Sequence, residues 1–232
     1  MAAFGDSAVI DPEPRPKTRP PHGSKGERLD EAIAAYRVLT QQQQRLTSHG
    51  WNDGPRLVRG VAGSGKTVVL AVQAARMIER LQKRTSGLFD KSDPSRVLAV
   101  CFNRTLVPFI RQRIQIAYRQ RTGNELPKEA LLVTHMNALL YDLSTQGFCT
   151  YRRVSHDLDS NQSAALYLAD LNTLRGVLAE RVSNGLFYGI FVDEGQDFHE
   201  NQYRLLLKLC ARTPTGLPRA FVFYDDAKNL YG

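Results

Sequence analysis

The sequence predicts an α/β fold, a parallel sheet flanked by helices, and three observations carry that expectation. Short apolar runs recur at Arg56–Gly60, Val97–Phe102, Leu131–Thr134, Gly189–Asp193 and Ala220–Tyr224. Runs of this length and near-continuous apolarity are what strands covered on both faces require. Helical patterns such as Thr67–Leu81 and Leu106–Tyr118 lie between them, long enough to cross from one parallel strand to the next. Finally, 232 residues with 42% hydrophobic and 23% charged side chains can bury a core without disulfide or metal staples.

The same composition excludes a mainly disordered or collagen-like chain. No stretch approaches the roughly 20 apolar residues of a membrane-spanning helix. Met1-Ala-Ala-Phe-Gly-Asp lacks the basic and apolar regions of a secretory leader, so the cytoplasm is the expected compartment and no membrane partner is expected. Cys101, Cys149 and Cys210 are far apart and odd in number, which reads as reduced, structural cysteine. Lys and Arg number 31 against 23 Asp and Glu, a net charge of +8 that favours a polyanionic partner.

The amino-terminal stretch holds Pro12, Pro14, Pro16, Pro20 and Pro21 among mixed charges, a composition that can neither continue a helix nor bury a core. Residues 1–28 are therefore expected to be a disordered Pro-rich tail, and 29–232 the folded domain. Leu29, Ile33, Tyr36 and Leu39 recur at helical spacing and lead into Gln41–Gln44. The connection between the third and fourth apolar runs is far longer than one crossover needs. Ala164, Leu168, Leu171, Leu174 and Leu178 mark it as helical, with Ser160 as a cap, so about 140–187 is expected to be an inserted helical subdomain.

The most specific segment is Gly60-Val61-Ala62-Gly63-Ser64-Gly65-Lys66-Thr67, which satisfies G-x-x-x-x-G-K-[ST] between a strand and a helix. Glycines let the backbone turn tightly enough for several N–H groups to converge on phosphate oxygens, and the following helix adds its positive end. Gly60, Ala62, Gly63, Ser64 and Gly65 would then cradle a triphosphate, Lys66 would reach its terminal phosphates, and Thr67 would ligate Mg²⁺. The plainer alternative is a glycine-rich turn with an exposed lysine. Ile190-Phe191-Val192-Asp193-Glu194 supplies an apolar strand ending in two acids. That arrangement suits Asp193 as a metal ligand and Glu194 as the group that orients water or accepts its proton.

Together, Gly60–Thr67 and Asp193-Glu194-Gly195-Gln196-Asp197 resemble the ATP-binding half of a superfamily 1 DNA helicase of the UvrD/Rep type. The acidic segment is similar to the family's D-E-x-Q-D, with Gly195 where alanine is usual. The resemblance implies that Gln196 couples nucleotide state to the nucleic-acid site. Leu39-Thr40-Gln41-Gln42-Gln43 resembles the L-x-x-x-Q element, implying that Gln43 reads the adenine edge. Phe102-Asn103-Arg104-Thr105 resembles the first single-strand-binding element, and Val133-Thr134-His135, more loosely, the next. The likeness runs from about residue 39 through Asp225-Asp226-Ala227-Lys228-Asn229-Leu230-Tyr231-Gly232, similar to D-D-x-Q-S-I-Y-G.

This resemblance implies a RecA-like fold, ATP and Mg²⁺ as cofactors, and single-stranded DNA or DNA junctions as partner. It also implies a second RecA-like domain, carrying an arginine finger, that these 232 residues do not contain. Two departures stand out. Lys228 occupies the place of a glutamine that senses the γ-phosphate; a lysine attracts phosphate but accepts no hydrogen bond. Val68 follows Thr67 where relatives often carry arginine.

Arg104, Arg111, Arg113, Arg119 and Arg121 are interleaved with Phe109 and Tyr118 and with no acid. Such a run suits either a phosphate track or a solvated helix face. Phe102, Asn103 and Arg104 follow a strand end, where open α/β sheets gather their ligands. The expected function is the ATP-binding domain of a UvrD-like helicase. A P-loop phosphotransferase and a truncated, non-catalytic nucleic-acid-binding module are the alternatives.

Overall fold

The computed structural model describes residues 7–10, 39–48, 54–85, 94–152 and 159–225. Six parallel strands form one sheet: β1 (Ser7–Ile10), β2 (Arg56–Gly60), β3 (Val97–Cys101), β4 (Leu131–His135), β5 (Gly189–Val192) and β6 (Ala220–Tyr224). Their spatial order is β1-β2-β6-β5-β3-β4. Five of them are the apolar runs marked in the sequence, each within a residue at either end.

Within the stretch 1–28 expected to be a disordered tail, residues 7–10 form β1. Ser7-Ala8-Val9-Ile10 pairs in parallel with Leu57–Gly60 on the sheet edge. The β-branched Val9 and Ile10 favour extended backbone, and an edge strand needs only one neighbour. The prolines of 11–28 lie outside the described residues, as do 29–38, the body of the expected first helix. Helix α1 (Gln41–Ser48) begins within the glutamine run.

One face of the sheet is covered by α2 (Lys66–Thr85) and α3 (Leu106–Thr122). Val69, Leu70, Ala74 and Ile78 of α2 meet Ile110 and Ile114 of α3 over Val58, Ala99, Phe191, Phe221 and Phe223. The rings of Phe191 and Phe221 stack at 4.8 Å across adjacent strands. The other face is covered by α4 (Met136–Thr145), α5 (Ser160–Thr173), α6 (Gly176–Asn184) and α7 (Glu200–Leu209).

The long connection is helical as expected, yet it shares its core with the sheet. Phe148, Ala164, Tyr167 and Leu171 pack in one cluster with Leu98, Val100, Ile190, Val192 and Leu205. Its helical pattern is broken at Leu174 and Arg175, and Gly176 opens α6 with φ 61°. The cap of α5 is Asp159, not Ser160: the Asp159 carboxylate accepts from the backbone N–H of Asn161 and Gln162, and the Gln162 side chain accepts from the Asp159 N–H. A capping box with glutamine three residues on outcompetes a neighbouring serine.

Among the described residues no helix is long and apolar enough to cross a membrane. With every strand parallel, all carboxyl ends lie along one edge. Gly60, Cys101, His135, Val192 and Tyr224 end their strands there.

Candidate functional site

The loop from β2 to α2 starts at that edge. Gly63 and Gly65 adopt φ of 77° and 86°, which only glycine takes without strain. A Cβ on Gly65 would also collide with the Gln43 side chain. Gln43 clamps the loop: its Nε2 donates to the Ser64 carbonyl at 3.0 Å, and its Oε1 accepts from the Thr40 N–H at 3.1 Å. The side chain that the resemblance assigns to an adenine edge is thus engaged at both polar atoms by protein.

Immediately after the loop, the first N–H groups of α2 have no acceptor within the helix, and the helix dipole points its positive end outward. Lys66 is buried and folds back over the loop, its Nζ donating to the carbonyls of Gly60 at 2.7 Å and Val61 at 3.0 Å. The Asp225 carboxylate, at the end of β6, lies 3.7 Å from the same ammonium.

Asp193 follows β5 and is 3% exposed. Its backbone N–H donates to the Val100 carbonyl of β3, which fixes the end of the strand. Its Oδ2 accepts from the Thr67 hydroxyl at 3.2 Å. Burial, and then the neighbouring Glu194 charge, push the Asp193 carboxyl up to about 6, against the pull of Thr67 and Lys66. Two buried polar atoms here, Asp193 Oδ1 and Ser64 Oγ, have no hydrogen-bond partner among the described residues.

Glu194 sits at φ 52°, the one left-handed non-glycine residue among those described. Such backbone costs of order 1–2 kcal/mol. A surrounding network holds it: Gln196 Nε2 donates to the Glu194 carboxylate at 2.5 Å, and Gln196 Oε1 accepts from the Asp225 N–H at 2.9 Å. Gly195 is required by packing. A Cβ there would lie 2.5 Å from Val222 Cγ1 and 2.7 Å from the Tyr203 hydroxyl.

Farther along the edge, Phe102 and Arg104 are exposed after β3. Asn103 is exposed too, but its carboxamide oxygen accepts from the N–H and hydroxyl of Thr105, the residue before α3. Thr134 is buried, whereas His135 is half-buried. Burial, with the Arg104 charge, lowers the His135 imidazole from its ordinary value.

The arginine run divides. Arg111 donates to the Val133 carbonyl at 3.2 Å, Arg119 pairs with Glu125, and Arg121 binds Glu79 of α2 through Nε and Nη2 at 3.0 and 2.7 Å. Arg113 covers the exposed Phe109 ring at 4.6 Å. These contacts favour the structural reading for the helix, leaving Arg104 as the arginine at the strand end.

The structure therefore gathers Gln43, Ser64, Gly65, Lys66, Thr67, Asp193, Glu194 and Gln196 in one place, with Phe102, Arg104 and His135 on the same edge. Lys228 and the rest of the closing D-D-x element lie outside the described residues. Asp225 opens the closing D-D-x element, which the resemblance had marked without giving Asp225 a role of its own. Its signal was its place after the fifth apolar run, equivalent to that of Asp193 after the fourth. A cluster of loop amides and an ammonium opposite a buried carboxylate and a hydroxyl is suited to a phosphate group bridged by a hard cation.

Residues 39–142 match the UvrD/REP helicase N-terminal domain family. No curated protein matches the chain.

Proposed function

Since residues 39–142 carry a UvrD-like helicase N-terminal domain, we propose that this chain is the ATP-binding domain of a DNA helicase, in which ATP hydrolysis drives movement along single-stranded DNA. The observation that carries this reading is the 3.2 Å contact between Thr67 and Asp193, beside an ammonium held at the mouth of a glycine loop.

The residues present fit ATP with Mg²⁺. Orphaned buried oxygens at Ser64 and Asp193 would gain partners, and one hydroxyl plus one carboxylate is the sparse protein donor set that suits Mg²⁺ shared with phosphates and water. When bound, Mg²⁺ neutralises charge on the phosphate oxygens and polarises the transferred group. Thr67 and Asp193 would hold the metal, and the amides of Ala62–Thr67 the phosphates. Lys66, now on its loop carbonyls, would reach the terminal phosphate oxygens. Glu194, held by Gln196 in its strained turn, aligns a water for in-line attack and takes its proton. Phe102 and Arg104 bind a single strand by stacking and phosphate contact, flanked by His135.

In this reading a second RecA-like domain closes the cleft and supplies an arginine finger, worth about 10³–10⁵ in rate in comparable nucleotidases. The test is Mg²⁺-dependent ATP turnover with and without a single-stranded oligonucleotide. Turnover rises with the oligonucleotide and is lost in Lys66→Ala and in Glu194→Gln, both of which keep binding the strand. Turnover that follows a small phosphate acceptor and ignores the oligonucleotide would establish a phosphotransferase instead.

A further inference from the structure

Three aromatic residues connect the acid turn to the exposed strand-end residue. The Tyr203 hydroxyl, on α7, donates to the Gly195 carbonyl at 2.5 Å. The Tyr203 ring lies 5.9 Å from that of Phe198, tilted at 44°. Phe198, 7% exposed, presents its ring to Phe102 at 6.2 Å and 75°, an edge-to-face contact. Phe102 itself is 46% exposed.

Each contact limits the motion of the next. The Gly195 carbonyl is one residue from Glu194, so any change in the strained backbone there moves the acceptor of the Tyr203 hydroxyl. Tyr203 is half-buried and packed on the second core cluster, of which Phe198 is a buried member, so its ring is held against that of Phe198. Edge-to-face aromatic pairs have a preferred geometry worth about 0.5–1.5 kcal/mol beyond area burial, so Phe102 follows Phe198.

We propose that Tyr203 and Phe198 are positioning residues that transmit the state of the Glu194–Gly195 turn to the Phe102 ring, and so couple nucleotide binding to single-strand binding. The proposal rests on the reading of the two sites given above. It assigns the coupling to side chains outside the D-E-x-Q-D segment.

The test measures the affinity of the chain for a fluorescent oligothymidylate, with and without the non-hydrolysable β,γ-imido analogue of ATP and Mg²⁺. The wild-type dissociation constant is expected to change by about 5-fold or more on nucleotide binding. In Phe198→Leu, which keeps an apolar side chain, and Tyr203→Phe, which loses one oxygen, each ligand alone binds within about 2-fold of wild type while the coupling ratio falls toward one. A merely structural role would change the separate affinities and leave their ratio. Coupling in both variants equal to wild type overturns the relay and leaves the two-site reading intact. A wild-type chain that binds nucleotide without altering strand affinity overturns the relay alone, and one that binds no nucleotide overturns both.

Discussion

The Thr67 hydroxyl and the Asp193 carboxylate meet at 3.2 Å across 126 residues of sequence. Their strands are not neighbours: β6 runs between β2 and β5 and places Asp225 next to Lys66. The contact is thus a product of strand order. It makes the carboxyl edge of the sheet a single chemical site rather than two turns that happen to be polar.

Gly195 should be intolerant of alanine. A Cβ would sit 2.5 Å from Val222 Cγ1, and overpacking of this kind costs about 1–3 kcal/mol. Urea denaturation of Gly195→Ala should show that loss, with partial recovery in Gly195→Ala/Val222→Ala. An alanine variant as stable as wild type would contradict the packing described.

The left-handed backbone at Glu194 reverses the ordinary preference between alanine and glycine. Glu194→Gly and Glu194→Ala both remove the carboxylate, so their difference isolates the backbone. Glycine should be more stable by about 1 kcal/mol, with neither variant turning over ATP. Equal melting temperatures would mean that φ 52° carries no strain.

Arg104 and Arg111 should behave differently toward a single strand. Replacing Arg104 with alanine should flatten the dependence of log affinity on log salt by about 0.7, the loss of one phosphate contact. Arg111→Ala should leave the slope unchanged and lower stability, because Arg111 bonds the Val133 carbonyl. A flattened slope in Arg111→Ala would return the helix to the nucleic-acid track.

Acid should dissolve one anchor of the long helical connection. Asp170 accepts from Arg152 Nη1 and Nη2 at 2.6 and 3.0 Å, and this hydrogen-bonded pairing holds its carboxyl below the ordinary value. A lowered folded-state value means that the stabilisation is fully present above the unfolded value near pH 4, and is lost as pH falls through the folded one. Both groups are partly exposed, so Asp170→Asn should cost only about 1 kcal/mol at pH 7, and less as pH falls through the folded-state value. A cost independent of pH would assign the effect to packing.

Strands β2 to β6 were legible because strands covered on both faces are nearly continuous apolar runs, and the phosphate loop because its glycines and lysine have fixed spacing. What escaped depended on tertiary arrangement or on a choice between neighbours. Ser7–Ile10 is four residues long beside a proline-rich stretch, too short for alternation to register. Asp159 and Ser160 are both cap-forming residues, and only Gln162 decides between them. The closing motif marked Asp225, but its pairing with Lys66, like Tyr203 against Gly195, follows from strand order and helix packing.

Equilibrium binding of a fluorescent ATP analogue, with Mg²⁺ and then with a chelator, tests the central claim most directly. The account predicts affinity that falls when Mg²⁺ is removed. Lys66→Ala should weaken binding in either condition, whereas Thr67→Ala and Asp193→Asn should remove the dependence on Mg²⁺. Binding that ignores Mg²⁺ in the wild-type chain and survives Lys66→Ala unchanged would contradict it.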